Sequence, residues 1–206
     1  EASQYDARRQ HLPPWQQEQD AVNQLVERGP VLDVPIGTGR YLPIYQAKGL
    51  SYAGCDISAD MVEQAMRHDP VLYFKLGDIT DLPFKENEFG TAVCTRLLNW
   101  LAPDEMQQAV RELRRVANTV VLSIRVGEGE QQLKTYTHKA GDVLDALDGY
   151  WITDDIHLRD EGPAGNYYMV RFRKPEWHDV EAQFAHQPVT LQTLADEWAE
   201  RYGLQP

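Results

Sequence analysis

The chain has 206 residues, of which 42% are hydrophobic, and a net charge of −12. That length supports one domain with a substantial core, and no apolar run approaches the roughly 20 residues that a bilayer span needs. The acidic excess repels polyanions on average, which disfavours nucleic acid as a partner.

Taken in chain order, residues 15–28 read as a helix that stops at Gly29-Pro30, a helix terminator. Residues 31–34 form a first strand, which runs into a turn holding Gly37 and Gly39. A helix over 41–48 ends at Gly49, and a second strand covers 52–57. Ser58 can cap a helix whose apolar face carries Met61, Val62, Ala65 and Met66. Strands follow at 71–76 and 91–94. Pro103 opens a helix with Met106, Ala109, Val110, Leu113 and Val116 on one face. Residues 119–126 are nearly all apolar or β-branched, as a central parallel strand should be. A short helix at 140–147 precedes two last strands, 150–158 and 167–173, joined by a turn-rich loop.

This alternation predicts an α/β sandwich, doubly wound, with a seven-stranded and mostly parallel sheet and helices on both faces. Residues 1–175 are expected to form that domain. The pattern changes after Pro175, so 176–206 reads as a helical extension, with an amphipathic helix at 190–202 that could pack on the domain or meet a partner. Cys55 and Cys94 lie in strand-like runs and read as free buried thiols of a reducing, cytoplasmic compartment, with no metal site. No leader segment is recognised at the start. Arg111, Arg114 and Arg115 are the densest basic group, and their spacing reads as a solvated helix face.

Three features stand at the carboxyl ends of successive strands, where open α/β sheets bind ligands. The first is the Gly37-Thr38-Gly39 turn, where ligand can approach bare backbone. The second is Asp56, 19 positions after Gly37, placed to accept from both hydroxyls of a ribose. The third is Gly77-Asp78-Ile79 followed by Thr80-Asp81-Leu82-Pro83-Phe84. A dinucleotide loop would carry a third glycine, but Leu42 stands there.

In this order and spacing the residues resemble the class I, Rossmann-like, S-adenosylmethionine-dependent methyltransferases, in particular their small-molecule branch. The resemblance covers roughly residues 25–175 and implies an antiparallel last strand. It implies S-adenosylmethionine as cofactor, with Asp33, Gly37, Gly39 and Thr95 at its methionine end. Asp56 would then hold the ribose, Ile57 and Met61 the adenine faces, and Asp78 with the Ile79 backbone the adenine edge. The sequence departs from the family pattern at Pro35 and Gly90, where glycine and aspartate are usual. Pro35 fits only if its turn position has negative φ and needs no N–H.

A methyl already activated on sulfur needs mainly an aligned nucleophile. A general base is required only for a weakly acidic hydroxyl or a protonated amine, and His138 is the candidate. Acceptor contacts are expected from Tyr5 near the start, Arg96 and Trp100 after the fourth strand, Tyr136 after the fifth, and Arg159 and Tyr167 at the last hairpin. The chain lacks an Asn/Asp-Pro-Pro-aromatic run and a Pro-Cys pair, which argues against methylation of nucleic-acid bases. The expected function is methyl transfer to oxygen or nitrogen of a small molecule. The alternatives are a cofactor-binding scaffold that acts through the 190–202 helix, or an enzyme with a macromolecular acceptor.

Overall fold

Apolar residues at helical spacing and β-branched runs bounded by turn residues place the elements close to where the pattern puts them. A computed structural model describes residues 6–7, 10, 13–70, 72–127, 129, 131–132, 134–158 and 166–175. The expected extension at 176–206 lies outside the described residues, as do Tyr5 and Arg159.

The helices are α1 (Pro13–Leu25), α2 (Leu42–Ala47), α3 (Ala59–His68), α4 (Pro103–Val116) and α5 (Ala140–Ala146). The strands are β1 (Val31–Asp33), β2 (Tyr52–Asp56), β3 (Tyr73–Leu76), β4 (Phe89–Cys94), β5 (Ala117–Val126), β6 (Gln131–Gln132), β7 (Thr135–Tyr136), β8 (Trp151–Leu158) and β9 (Asn166–Arg173). Seven of them make one sheet in the order β3-β2-β1-β4-β5-β9-β8. β1 to β5 pair in parallel, while β9 runs antiparallel to both β5 and β8. The mostly parallel, seven-stranded architecture is therefore the one expected. The β6–β7 hairpin and a 3₁₀ turn at Leu98–Trp100 are additional. Two-residue strands carry no readable period. Here Asn99 ties the pieces together, donating to Tyr136 O at 2.8 Å and accepting from Arg125 N–H at 3.1 Å.

Strand alternation divides the core between two faces. Leu32, Ala92, Val120 and Leu122 point to one face, against Met106, Val110 and Leu113 of α4 and Val143 of α5. Val31, Val93 and Val121 point to the other, against Val22 and Leu25 of α1, Tyr45 of α2 and Val62 of α3. By the same parity Asp33 and Ser123 belong to the α1–α3 side, and that face carries the polar groups of the site.

Ser58 caps α3, its Oγ accepting from Met61 N–H at 3.4 Å. Gly90 is explained by close approach. A Cβ there would stand 2.5 Å from Gly29 O, while its N–H donates to Pro30 O at 2.9 Å. No larger residue fits between β4 and the start of β1.

The basic helix face is a correction. Arg115 of α4 donates to Leu82 O at 2.9 Å and Phe84 O at 2.7 Å, and Glu112 Oε2 accepts from Leu82 N–H at 2.8 Å. Hydrogen bonding to Arg115 outweighs burial and holds the Glu112 carboxyl below the usual carboxylate range. Arg114 donates to Ala146 O at 2.8 Å. Two of the three arginines are thus structural: one holds the 78–84 loop and the other braces α4 against α5.

Candidate functional site

The strand order reverses between β1 and β4, and a cleft of about 270 Å³ opens at the carboxyl ends there. It is lined by the loop after β1, by Asp56, Ser58 and Met61 around the end of β2, and by Thr95 and Arg96 after β4.

The loop is shaped by its two glycines. Gly37 and Gly39 have φ of +54° and +79°, the left-handed region that side chains disfavour. A Cβ at Gly37 would meet nothing within 4 Å and would stand in open space, whereas one at Gly39 would collide with Leu42 and with Ala65 of α3. Pro35 fits because its neighbours carry the bonds. Val34 N–H donates to Val93 O and Ile36 N–H to Cys55 O, each at 2.9 Å. The Val34–Pro35 peptide is cis.

Asp56 ends β2, is 5% exposed, and is locked in place by backbone. Its Oδ2 accepts from Gly37 N–H and its Oδ1 from Ser58 N–H, each at 2.9 Å. A carboxylate offers about four acceptor positions, so about two remain for donors in the cleft.

Asp33 lies below the loop, 1% exposed, with Tyr45 OH donating to it at 3.3 Å. Burial pushes its pKa up to about 8, against the lowering effect of Arg40 and the Tyr45 hydroxyl. Its folded pKa therefore lies above its unfolded one, so the native state holds the proton more tightly. Between about pH 4 and pH 8 the stability contributed by this group falls as pH rises. Asp33→Asn should flatten that dependence. Urea unfolding of both proteins across this range should show the wild type losing stability relative to the variant towards pH 8, and parallel profiles would exclude a protonated Asp33.

The floor of the cleft holds a buried charge network built around Glu18 of α1, whose side chain is 0% exposed. Arg40 donates to Glu18 Oε2 at 2.6 Å, Arg96 Nε to the same oxygen at 2.7 Å, and Tyr167 OH to Oε1 at 2.6 Å. Arg40 also bonds Tyr41 OH, and Tyr41 OH donates to Thr95 Oγ1 at 3.2 Å. Its guanidinium sits 4.4 Å from the Trp15 ring centroid. Burial opposes a charge on Arg40, but Tyr41 and Glu18 outweigh it and hold the guanidinium protonated. Glu18 and Arg40 are the residues that the motif reading missed. A signal was present: Glu18 falls in the helical stripe of Trp15, Ala21, Val22 and Leu25, where an acid is out of place unless paired.

The expected site residues fall into three groups. Gly37, Asp56, Met61, Thr95 and Arg96 line the cleft, with Gly39 and Asp33 directly beneath or beside it. Tyr167 is buried behind the lining, its hydroxyl held by Glu18, the same carboxylate that Arg40 and Arg96 of the lining engage, and near Ser123. The remaining described ones are not among the lining residues. Ile57 stands between Asp56 and Ser58 of the lining with its side chain 75% exposed, and Trp100 is 53% exposed. Asp78 closes a turn, its Oδ1 accepting from Thr80 N–H at 2.9 Å, and the Ile79 side chain is buried in the α4-side core. The structure does not bring His138 to the cleft. It is 1% exposed, its Nε2 lies 2.9 Å from Leu98 O, and Leu98 belongs to the α4-side core. Burial holds its pKa below the usual histidine value. Tyr136 stacks on His138 with centroids 6.3 Å apart, on that same side.

Residues 31–119 match a family model described as a methyltransferase domain. The chain is 34% identical over 87 residues to a demethylmenaquinone methyltransferase of Paenarthrobacter aurescens, covering 42% of this chain and 33% of that protein. It is 26% identical over 141 residues to a malonyl-[acyl-carrier protein] O-methyltransferase of Enterobacter lignolyticus, covering 68% of this chain and 49% of that one. The chain thus spans about a third of the length of the first of these relatives and half of the second. Among solved structures it superposes on the magnesium protoporphyrin IX methyltransferase of Synechocystis PCC 6803 with TM-score 0.67 and 21% identity, covering 79% of this chain and 84% of that one. The same fold is found in a [4+2]-cyclase, with TM-score 0.63, 19% identity and coverage of 78% and 83% of the two chains.

Proposed function

We infer, for a chain whose residues 31–119 match a methyltransferase-domain model, that it binds S-adenosylmethionine and transfers a methyl group to oxygen or nitrogen of a small-molecule acceptor. The observation that carries this reading is Asp56. A buried acid at the end of β2 is fixed by the N–H of a loop glycine and faces a cleft at the strand-order reversal.

The residues fit the cofactor. The open space over Gly37 admits a ligand against backbone, and Asp56 retains acceptor capacity for a pair of hydroxyls. Met61 offers an apolar surface beside it, and Thr95 and Arg96 border the opposite end. When bound, the cofactor supplies a methyl group activated on a sulfonium. The chain's contribution is alignment, with the glycine-loop backbone and the Arg40–Tyr41–Thr95 cluster both lining the cleft. His138 lies outside the cleft lining and has no part in this.

The relatives' acceptors differ widely, from a demethylmenaquinone to an amino sugar nucleotide and a carrier-bound malonyl group. The likeness therefore supports the cofactor domain and leaves the choice of acceptor to the residues around the cleft.

Calorimetry with S-adenosylhomocysteine tests the reading. Asp56→Ala removes charge-assisted hydrogen bonds and should weaken binding on the order of 100-fold. No binding by the wild type would refute the cofactor, and equal affinity in the variant would refute the assignment of Asp56.

A further inference from the structure

The floor of the cleft is unbalanced in charge. Arg40 and Arg96 converge on one carboxylate, that of Glu18. Burial pushes the pKa of Asp33 up to about 8, which weakens it as a second counter-charge, and the Asp56 carboxylate that lines the same cleft is already engaged by the Gly37 and Ser58 N–H groups. The Arg40 side chain is 9% exposed and lines the cleft, yet its Nη1 has no hydrogen-bond partner among the described residues. A buried guanidinium nitrogen without an acceptor is costly and points to a ligand atom that satisfies it. Arg96 is held in a way that serves the same end. Its backbone sits at φ +60°, uncommon for a side-chain-bearing residue, with its N–H donating to Ser123 Oγ at 2.8 Å. Glu18 engages it through Nε, which fixes the guanidinium plane at the edge of the cleft.

We propose that Arg40 and Arg96 form a carboxylate-binding floor, preset by Glu18. Glu18 is a positioning residue here. It cancels one of the two charges and orients both guanidinium groups, so that the surplus charge and the open Nη1 receive one anion. The planar fork of arginine suits a carboxylate better than a compact anion. Glu18 lies outside residues 31–119, so the domain match does not contain the residue that presets this floor. Two molecules could bring the carboxylate: the amino-acid end of the cofactor, in which case the proposal rests on the reading above, or the acceptor.

Two measurements separate these sources. The first is calorimetry with S-adenosylhomocysteine and with its decarboxylated analogue, on wild type, Arg40→Gln and Arg40→Lys. If the cofactor supplies the group, the wild type binds the analogue about tenfold or more weakly, and Arg40→Gln removes the difference. Arg40→Lys keeps the charge beside Glu18, so it serves if the glutamine variant fails to fold, and it should retain only part of the discrimination. The second is acetate titration at saturating S-adenosylhomocysteine, read by thermal shift on wild type and Arg96→Gln. If the acceptor supplies the group, acetate raises the melting temperature of the wild type and not of the variant. The proposal is overturned if wild type binds both nucleosides equally and acetate has no effect. If the wild type binds neither nucleoside, the cofactor reading falls, and the same acetate titration without nucleoside then decides the floor.

Discussion

Replacing Glu18 by Ala should lower the unfolding free energy by about 3–5 kcal/mol, the range for breaking a buried ion pair from one side. The carboxylate is 0% exposed and is shared by two guanidinium groups and the Tyr167 hydroxyl. Without it, Arg40 and Arg96 remain together, largely buried, and lose the carboxylate that pairs with both. Domains of this kind are stable by only about 5–15 kcal/mol, so roughly a fifth or more of the total is at stake. Glu18→Gln keeps an acceptor and should lose less. Arg96→Met in the Glu18→Ala background should recover part of the loss, because it removes the stranded charge. Urea unfolding of the four proteins measures this. Losses below about 1 kcal/mol for Glu18→Ala would mean that the network carries little weight.

Gly39→Ala has the second large effect, through space as well as through φ. A Cβ at Gly39 would lie 2.9 Å from Leu42 Cδ1 and 3.0 Å from Ala65 Cβ, with the Ala65 Cα at 3.1 Å. The last of these is α3 backbone and cannot swing aside. The left-handed conformation costs about 1–2 kcal/mol and the overpacking about 1–3 kcal/mol. Together they should lower the melting temperature by roughly 5–15 °C in a chain of this size. The displaced loop would also carry Gly37 away from Asp56, so S-adenosylhomocysteine affinity should fall with stability. Gly37→Ala is the control. It has φ of +54° but no atom within 4 Å of its Cβ, so it bears the conformational cost alone. Equal destabilisation of the two variants would contradict the packing argument.

Much of the fold was legible because it is written in local terms. The apolar run into the Gly37 turn, the Ser58 cap and the helical stripe of α4 each depend on neighbours within a turn or two. Asp56 and Gly37 could be paired from their spacing, and they meet at 2.9 Å. The charge of Arg115 was legible but its direction was not, since the carbonyls it binds lie about 30 residues earlier, in the 78–84 loop. His138 looked free to act in the sequence, yet its backbone pairs beside Val126 and its ring packs on Leu98. The Ile79 side chain anchors in the core and leaves Asp78 exposed at the tip of its turn, an arrangement that spacing alone does not show.

The amino-acid sequence by itself determined the order of helices and strands, the glycine loop and the acid that closes on it. These follow from periodicity, from turn chemistry and from the absence of a Cβ, all of which act over a few residues. Only the tertiary structure decided that Glu18, Arg40, Arg96 and Tyr167 form one buried cluster. Its longest link joins residues 149 positions apart. Such a contact depends on which face of the sheet each strand residue takes and on which helix covers that face. Both are set when the sheet pairs and packs, and no local pattern carries them.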